Sequence, residues 1–254
     1  MMLFRIISVL LISAFSAYTD LKEGLIWDEI TLPAILLGIF LNLFPFQPLY
    51  LALGILTFAF SYFLYYFGKL GGGDVKLFTA IALLLPFYKN NIPFILLAVF
   101  YGAAIAAILL GPYYLFKALK RGINLKENRN GIIQASIFAI VLLIYIWQLL
   151  FFEILPLTTA IAVILASVGV LIFIAFQQTF RKYFFCEFLP EEEIEDDDVI
   201  LVELLPKELQ KKIVSPLYEK NKNILKKMEK IPIFKNAPKF APFFLLGAIL
   251  ALLI

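Results

Sequence analysis

Two aspartates in this chain stand where a carboxylate is least expected. Asp20 follows a long apolar run and opens the polar stretch Asp20-Leu21-Lys22-Glu23. Asp74 sits in Gly71-Gly72-Gly73-Asp74-Val75-Lys76-Leu77, just ahead of another apolar run. An ionisable group at the edge or interior of a membrane is a functional candidate by default. Two such groups can hydrolyse a peptide bond if they work in different protonation states. One acts as base toward water and the other gives a proton to the carbonyl or the leaving amine. Carboxyls that share a site in this way titrate as a pair.

Each aspartate also has a plainer reading. Gly-Gly-Gly-Asp can be a flexible turn with Asp74 capping the helix that follows. Asp20 can be an interfacial residue that ends the first helix. The pair is favoured because both fall on the same predicted membrane face. Gly71, Gly72 and Gly73 are expected to supply unusual φ values and to let a substrate backbone come close. Glu23, Asp28 and Glu29 are read as solvated loop or capping acids, and Thr31-Leu32-Pro33 as a helix start with Thr31 as cap.

The composition removes much other chemistry. There is no histidine, so Ser-His-Asp triads, Cys-His pairs and histidine zinc sites are impossible. The single Cys186 can form neither an internal disulfide nor a multi-cysteine metal site. No metal and no cofactor is therefore expected. Carboxylates, lysines and hydroxyls remain for catalysis.

The elements that must position the aspartates follow from hydropathy. The chain is 62% hydrophobic and 16% charged. Apolar runs cover approximately 2–18, 30–46, 49–67, 75–87, 92–116, 132–152, 157–180 and 240–254, near the length a helix needs to cross about 30 Å of hydrocarbon. Met1–Tyr18 lacks a convincing cleavage site and reads as the first span, with Arg5 as a thin basic flank. The predicted fold is an all-α polytopic membrane protein of about eight transmembrane helices, six at the least, with a small α+β cytoplasmic domain. Its expected parts are a transmembrane catalytic bundle over 1–180, a cytoplasmic soluble segment over 181–239 and a C-terminal transmembrane helix over 240–254. Pro45 and Pro48 bracket one tight turn, and Glu153 and Pro156 another.

Lys117, Lys120, Arg121, Lys126 and Arg129 crowd one loop, which makes it cytoplasmic. Counting back places Asp20 and Asp74 on the cytoplasmic face of the cell membrane. Seven of the nineteen acids precede residue 181, and most of the rest gather between Glu187 and Glu208. The run Glu191–Asp198 is read as a solvated acidic loop, with docking of a basic peptide as the alternative. Val199–Val202 is β-prone, and Pro206–Lys230 is lysine-rich and helix-compatible. Nothing suggests nucleic-acid binding.

Gly71-x-Gly73-Asp74-x-Lys76-Leu77 resembles the GxGD motif of type IV prepilin peptidases and archaeal preflagellin peptidases. Asp20-Leu21, then Asp28-x-Ile30-Thr31-Leu32-Pro33, resembles the same family's first-aspartate motif, D-x(6)-P-[DN]-x-[LI]-T-x-P. Phe240-Ala241-Pro242-Phe243 with Leu246-Gly247 is similar to a PFxPFLxxG run in the family's last helix. The resemblance covers the amino-terminal third well and the last fifteen residues loosely. It implies that Asp20 and Asp74 are a catalytic pair and that Gly71 and Gly73 shape the site. Lys76 matches a family lysine, either paired with a carboxylate or, as slightly favoured, anchoring at the membrane interface. Implied substrates are prepilin-like or preflagellin precursors, cut after a short basic leader, with membrane lipid as the surrounding partner.

Trp27 replaces the motif's proline, which puts the entry angle of the second helix in question. The four-cysteine element of many bacterial members is missing, and no S-adenosylmethionine signature is present. Both features point to cleavage without N-methylation and to the archaeal members. An ion- or proton-coupled transporter and a non-catalytic pilus-assembly scaffold are the competing functions. Against a transporter, the charges sit at one face rather than the midplane, and no inverted repeat is evident.

Overall fold

A computed structural model describes residues 1–254 except 155, 197, 214, 226, 227, 236 and 237, together with the side chains of 90, 91, 158, 159 and 162. Among the described residues, eight helices of thirteen residues or more follow the apolar runs: α1 (Met2–Glu23), α2 (Asp28–Leu43), α3 (Pro48–Tyr66), α4 (Gly72–Leu84), α5 (Phe94–Arg121), α6 (Arg129–Phe151), α7 (Leu157–Phe180) and α8 (Ala241–Leu253). Five stretches, Met2–Glu23, Pro48–Tyr66, Phe94–Arg121, Arg129–Phe151 and Val163–Phe185, are long and apolar enough to cross a membrane. The protein is a multi-pass helical membrane protein. Its outward surface agrees: Ile137, Ile140, Val141, Leu143 and Trp147 of α6 are all exposed, as lipid-facing side chains are.

The chain divides into two compact units. The first holds Met1–Ala103, Phe188–Lys235 and Lys239–Ile254, and the second holds Ala104–Glu187.

Helix α4 is the centre of the first unit. It packs against α1, α2 and α3, and Leu77, Ala80, Ile81, Ala82 and Leu84 have no exposed surface. A helix apolar on every side is buried on every side. At thirteen residues it is about 20 Å long, short of the hydrocarbon thickness, so protein rather than lipid surrounds it. Phe78 lies one turn along from Asp74 and packs on the rings of Phe240 and Phe244, with centroids 6.2 and 5.3 Å away. Helix α8 crosses α5 through glycines. A Cβ on Gly102 would meet the Phe243 carbonyl oxygen at 2.8 Å, and one on Gly247 would collide with the Ala98 carbonyl. Small residues permit this close backbone approach.

The far end of α1 is closed by a polar knot. Arg5 is 8% exposed. It donates to Leu84 O at 2.8 Å, Leu41 O at 3.0 Å and Asn42 Oδ1 at 2.8 Å, while Asn42 Nδ2 donates to Leu83 O at 2.8 Å. The last carbonyls of a helix have no partner inside the helix, and one guanidinium serves the ends of both α2 and α4. Arg5, read from sequence as a basic flank, is instead a buried cap.

Between the last two long helices the chain makes a small core of Leu189, Ile200, Leu205, Tyr218, Leu225, Ile231 and Ile233. Strands β3 (Cys186–Leu189) and β4 (Ile231–Phe234) form a two-stranded sheet; an earlier sheet of β1 (Phe87–Tyr88) and β2 (Asn90–Pro93) precedes α5. Two readings of this segment are corrected. Val199 and Ile200 make isolated bridges, to Leu217 and Ile233, and Val202–Leu204 turns into a 3-10 helix. The stretch Pro206–Lys230 is broken into short helical turns at Lys207–Gln210, Tyr218–Asn221 and Lys222–Leu225, because Pro216 cannot continue a helix. Lys226 and Lys227 of that stretch lie outside the described residues.

The second unit is built on glycine contacts and one polar pair. A Cβ on Gly131 would meet Ile174 O at 2.5 Å, and one on Gly111 would meet Gly169 Cα at 2.8 Å. Asn128, fully buried, donates to Thr179 Oγ1 at 2.6 Å.

Candidate active site

Asp20 lies on the last turn of α1 and faces inward, 8% exposed. The helix ends four residues later at Gly24, whose φ of 76° is the left-handed conformation that suits a glycine C-cap. Asp20 Oδ2 accepts a hydrogen bond from the Ala241 backbone N–H at 3.1 Å. Ala241 is the first residue of α8, so the carboxylate satisfies one of the orphan donors of that helix at its positive end. Lys239 Nζ donates to Leu21 O at 2.7 Å, and its charge acts on Asp20.

Asp74 is half-buried, at the third position of α4. Its carboxylate takes the backbone N–H of Gly71, the residue that caps the same helix. This is one half of a capping box, so the capping reading of Asp74 holds alongside any chemical one. The Asp20 carboxylate acts electrostatically on Asp74. Both groups lie at the same end of the α1–α4 bundle, opposite the Arg5 knot; fifteen residues of α1 put about 22 Å between the two ends.

Two contacts bring the motifs together. A Cβ on Gly73 would sit 2.9 Å from Ile26 Cβ, so the glycine loop lies directly against the turn after Asp20. Lys76 Nζ reaches Asp28 Oδ1 and Oδ2 at 2.5 and 2.7 Å. The glycines act by this closeness. Gly71 has φ −74°, and positive φ in this region falls on Gly68 at 63° instead. A Cβ on Gly71 would stand 3.2 Å from the Asp74 carboxylate.

Lys76 takes the first of its two readings, pairing with a carboxylate, that of Asp28. Thr31 and Pro33 differ from their expected roles. Thr31 sits a turn inside α2, its hydroxyl directed at Trp27 O at 3.4 Å, and Trp27 occupies the cap position. Pro33 is consequently inside the helix. Trp27, at the motif's proline position, donates its indole N–H to Glu23 Oε2 at 2.7 Å. The acidic run is partly spoken for within its own segment: Asp196 pairs with Lys222 at 2.5 Å, and Asp198 Oδ2 accepts the Glu195 N–H at 3.0 Å. Asp197 lies outside the described residues.

Lys239 and Ala241 were missed as neighbours of Asp20. The PFxPF-like match at Phe240–Phe243 was the available signal, since it grouped these residues with the two aspartate motifs.

Comparison with known proteins agrees with the motifs. Residues 6–110 match the model of the type IV leader peptidase family. Over 105 aligned residues the chain is 36% identical to prepilin peptidase EppA of Methanothermobacter thermautotrophicus, a stretch equal to 37% of this chain and 27% of that protein. The chain thus matches about a quarter of its curated relative's length. No solved structure matches the chain. The resemblance to prepilin and preflagellin peptidases is shown over residues 6–110, which include Asp20 and Asp74, and a methanogen relative accords with the expected archaeal character.

Proposed function

We propose that this protein is a membrane aspartic endopeptidase that removes the short basic leader from type IV prepilin-like or preflagellin precursors, at the cytoplasmic face of the cell membrane and without N-methylation. The observation that supports the reading is that the two motif aspartates lie at the same end of the α1–α4 bundle, with the Gly73 loop packed on Ile26 and Lys76 paired with Asp28, inside the region similar to the leader peptidases.

In this mechanism one carboxylate takes a proton from water as its oxygen attacks the scissile carbonyl carbon. The other carboxyl donates to the carbonyl oxygen, giving a neutral tetrahedral diol. Collapse of the diol breaks the C–N bond, and the amine leaves with a proton returned by the pair. Gly71 keeps the space beside the Asp74 carboxylate free of a side chain where a substrate backbone must approach, and Gly73 lets the loop pack on Ile26. The ring cluster of Phe78, Phe240 and Phe244 forms an apolar floor one turn from Asp74 and limits the water near the pair. Lys76 and Asp28 hold the second motif to the first.

The experiment is a cleavage assay in membranes, mixing the protein with a candidate prepilin or preflagellin and comparing it with Asp74→Asn. A clipped product from the unmodified protein alone supports the reading. No clipping across a panel of such precursors removes it and brings forward a transporter or an assembly scaffold.

A further inference from the structure

The segment between α7 and α8 touches the polypeptide on both sides of the aspartate pair. On one side, Ser215, 2% exposed, directs its hydroxyl at the Tyr66 carbonyl at 3.3 Å. Lys220 Nζ stands 3.7 Å from the centroid of the Tyr66 ring, a cation–π contact. Val199 and Pro216 close over Gly68 so tightly that a Cβ there would lie 3.0 and 2.9 Å from them. Tyr66 ends α3, and only the turn 67–70 separates it from Gly71. That turn is itself tied by Gly68 N–H to Tyr65 O at 2.8 Å and Lys69 N–H to Leu64 O at 2.9 Å.

On the other side, Lys239 holds the Leu21 carbonyl and Ala241 N–H holds the Asp20 carboxylate. The first grip is joined to the chain that carries the second. Ile200 N–H donates to Pro216 O at 2.7 Å, Leu201 N–H to Pro232 O at 2.9 Å and Phe234 N–H to Val199 O at 2.8 Å. These bonds join the surface on Gly68 to β4, which ends five residues before Lys239 in the chain, around a core in which Ile200, Ile231 and Ile233 are no more than 2% exposed.

We infer that the 188–241 segment is a clamp that sets the spacing of the two aspartates, with Ser215 and Lys220 positioning Asp74 through Tyr66, and Lys239 and Ala241 positioning Asp20. Hydrolysis by a carboxyl pair depends steeply on that spacing, since a misplacement of about 1 Å can cost about 100-fold in rate. The core of the clamp lies in the first unit, within Phe188–Lys235. A precursor that bears on it can change the distance between the carboxyls without touching either one. The rate consequence rests on the peptidase reading, whereas the geometric consequence does not.

The test therefore has two readouts in the same set of variants: Lys220→Ala, Ser215→Ala, Lys239→Ala and the conservative Lys239→Arg. The first is the distance distribution between spin labels at Lys22→Cys and Lys69→Cys, both exposed positions, in a Cys186→Ser background. The alanine variants are expected to broaden or lengthen it, and Lys239→Arg to restore it. The second is precursor cleavage, where the alanine variants are expected to lose about tenfold in kcat with KM little changed. Unchanged distances in variants that accumulate normally overturn the clamp, whether or not cleavage is seen. Cleavage absent even in the unmodified protein, with distances that do shift, leaves the clamp standing and overturns the peptidase reading.

Discussion

Lys76 and Asp28 form an ion pair that fastens α4 to the first turn of α2, with Nζ 2.5 and 2.7 Å from the two carboxylate oxygens. The pair is open to solvent, with side chains 37% and 51% exposed. Pairs this exposed contribute on the order of 0.5 kcal/mol after solvent screening. Lys76→Met and Asp28→Asn should each leave thermal stability in detergent nearly unchanged, and a double-mutant cycle should give a coupling below about 1 kcal/mol. A coupling of several kcal/mol would mean that the pair is shielded by something other than solvent.

Asp20→Asn and Asp74→Asn should each lower precursor cleavage by about 1,000-fold or more, while the protein still inserts and accumulates. The amide keeps an oxygen that can accept from Ala241 N–H or Gly71 N–H, so neither helix start loses its partner. Initial rates from a quantitative cleavage assay check this, and appreciable activity in either single variant contradicts the pair.

Cleavage should fall away on both the acid and the alkaline side of its optimum. One carboxyl must be ionised and the other protonated, so acid removes the base and alkali removes the proton donor. A rate measured at several pH values in the same lipid decides it. A profile that rises and stays flat would mean that a single ionisation is enough.

Arg5→Met should destabilise the bundle by about 3 kcal/mol, because it leaves the carbonyls of Leu41 and Leu84 buried without a donor. Asn42→Leu should act in the same direction and less strongly, since it removes the bond to Leu83 O and one acceptor of Arg5 but leaves the guanidinium on Leu41 O and Leu84 O. Denaturant unfolding in micelles reads both effects.

Gly247→Ala should cost about 2 kcal/mol or prevent α8 from docking, because the new methyl collides with the Ala98 carbonyl on α5. Gly122→Ala is the contrast: its φ is 83° but nothing lies within 4 Å, so only the backbone term applies, about 1 kcal/mol. Unfolding midpoints of the two variants compare the costs directly.

The apolar runs gave away the helices because burial in lipid or protein demands uninterrupted hydrophobic length. The run at 49–67 became α3 at Pro48–Tyr66, and 157–180 became α7 over the same residues. The aspartates were legible for the opposite reason, as charges in a sequence that otherwise avoids them. What stayed hidden depends on partners far away in the chain. Arg5 reads as a flank until Leu41 and Leu84 arrive beside it, and Lys76 stays open between anchor and ion pair until Asp28 meets it. Local propensity also misled in the 188–241 segment. Its lysines and leucines suit a helix, but Pro216 and the pull of Leu205, Tyr218 and Leu225 into one small core divide it into turns.

Asp20 and its hydrogen-bond donor, the Ala241 N–H, are 221 residues apart in the chain. A ribosome making this protein therefore delivers the carboxylate long before the group that holds it. Until α8 is in place, the Asp20 carboxylate lacks this donor. Translation order thus separates the two halves of the contact, and the first motif gains its hydrogen-bond partner only once α8 has been made.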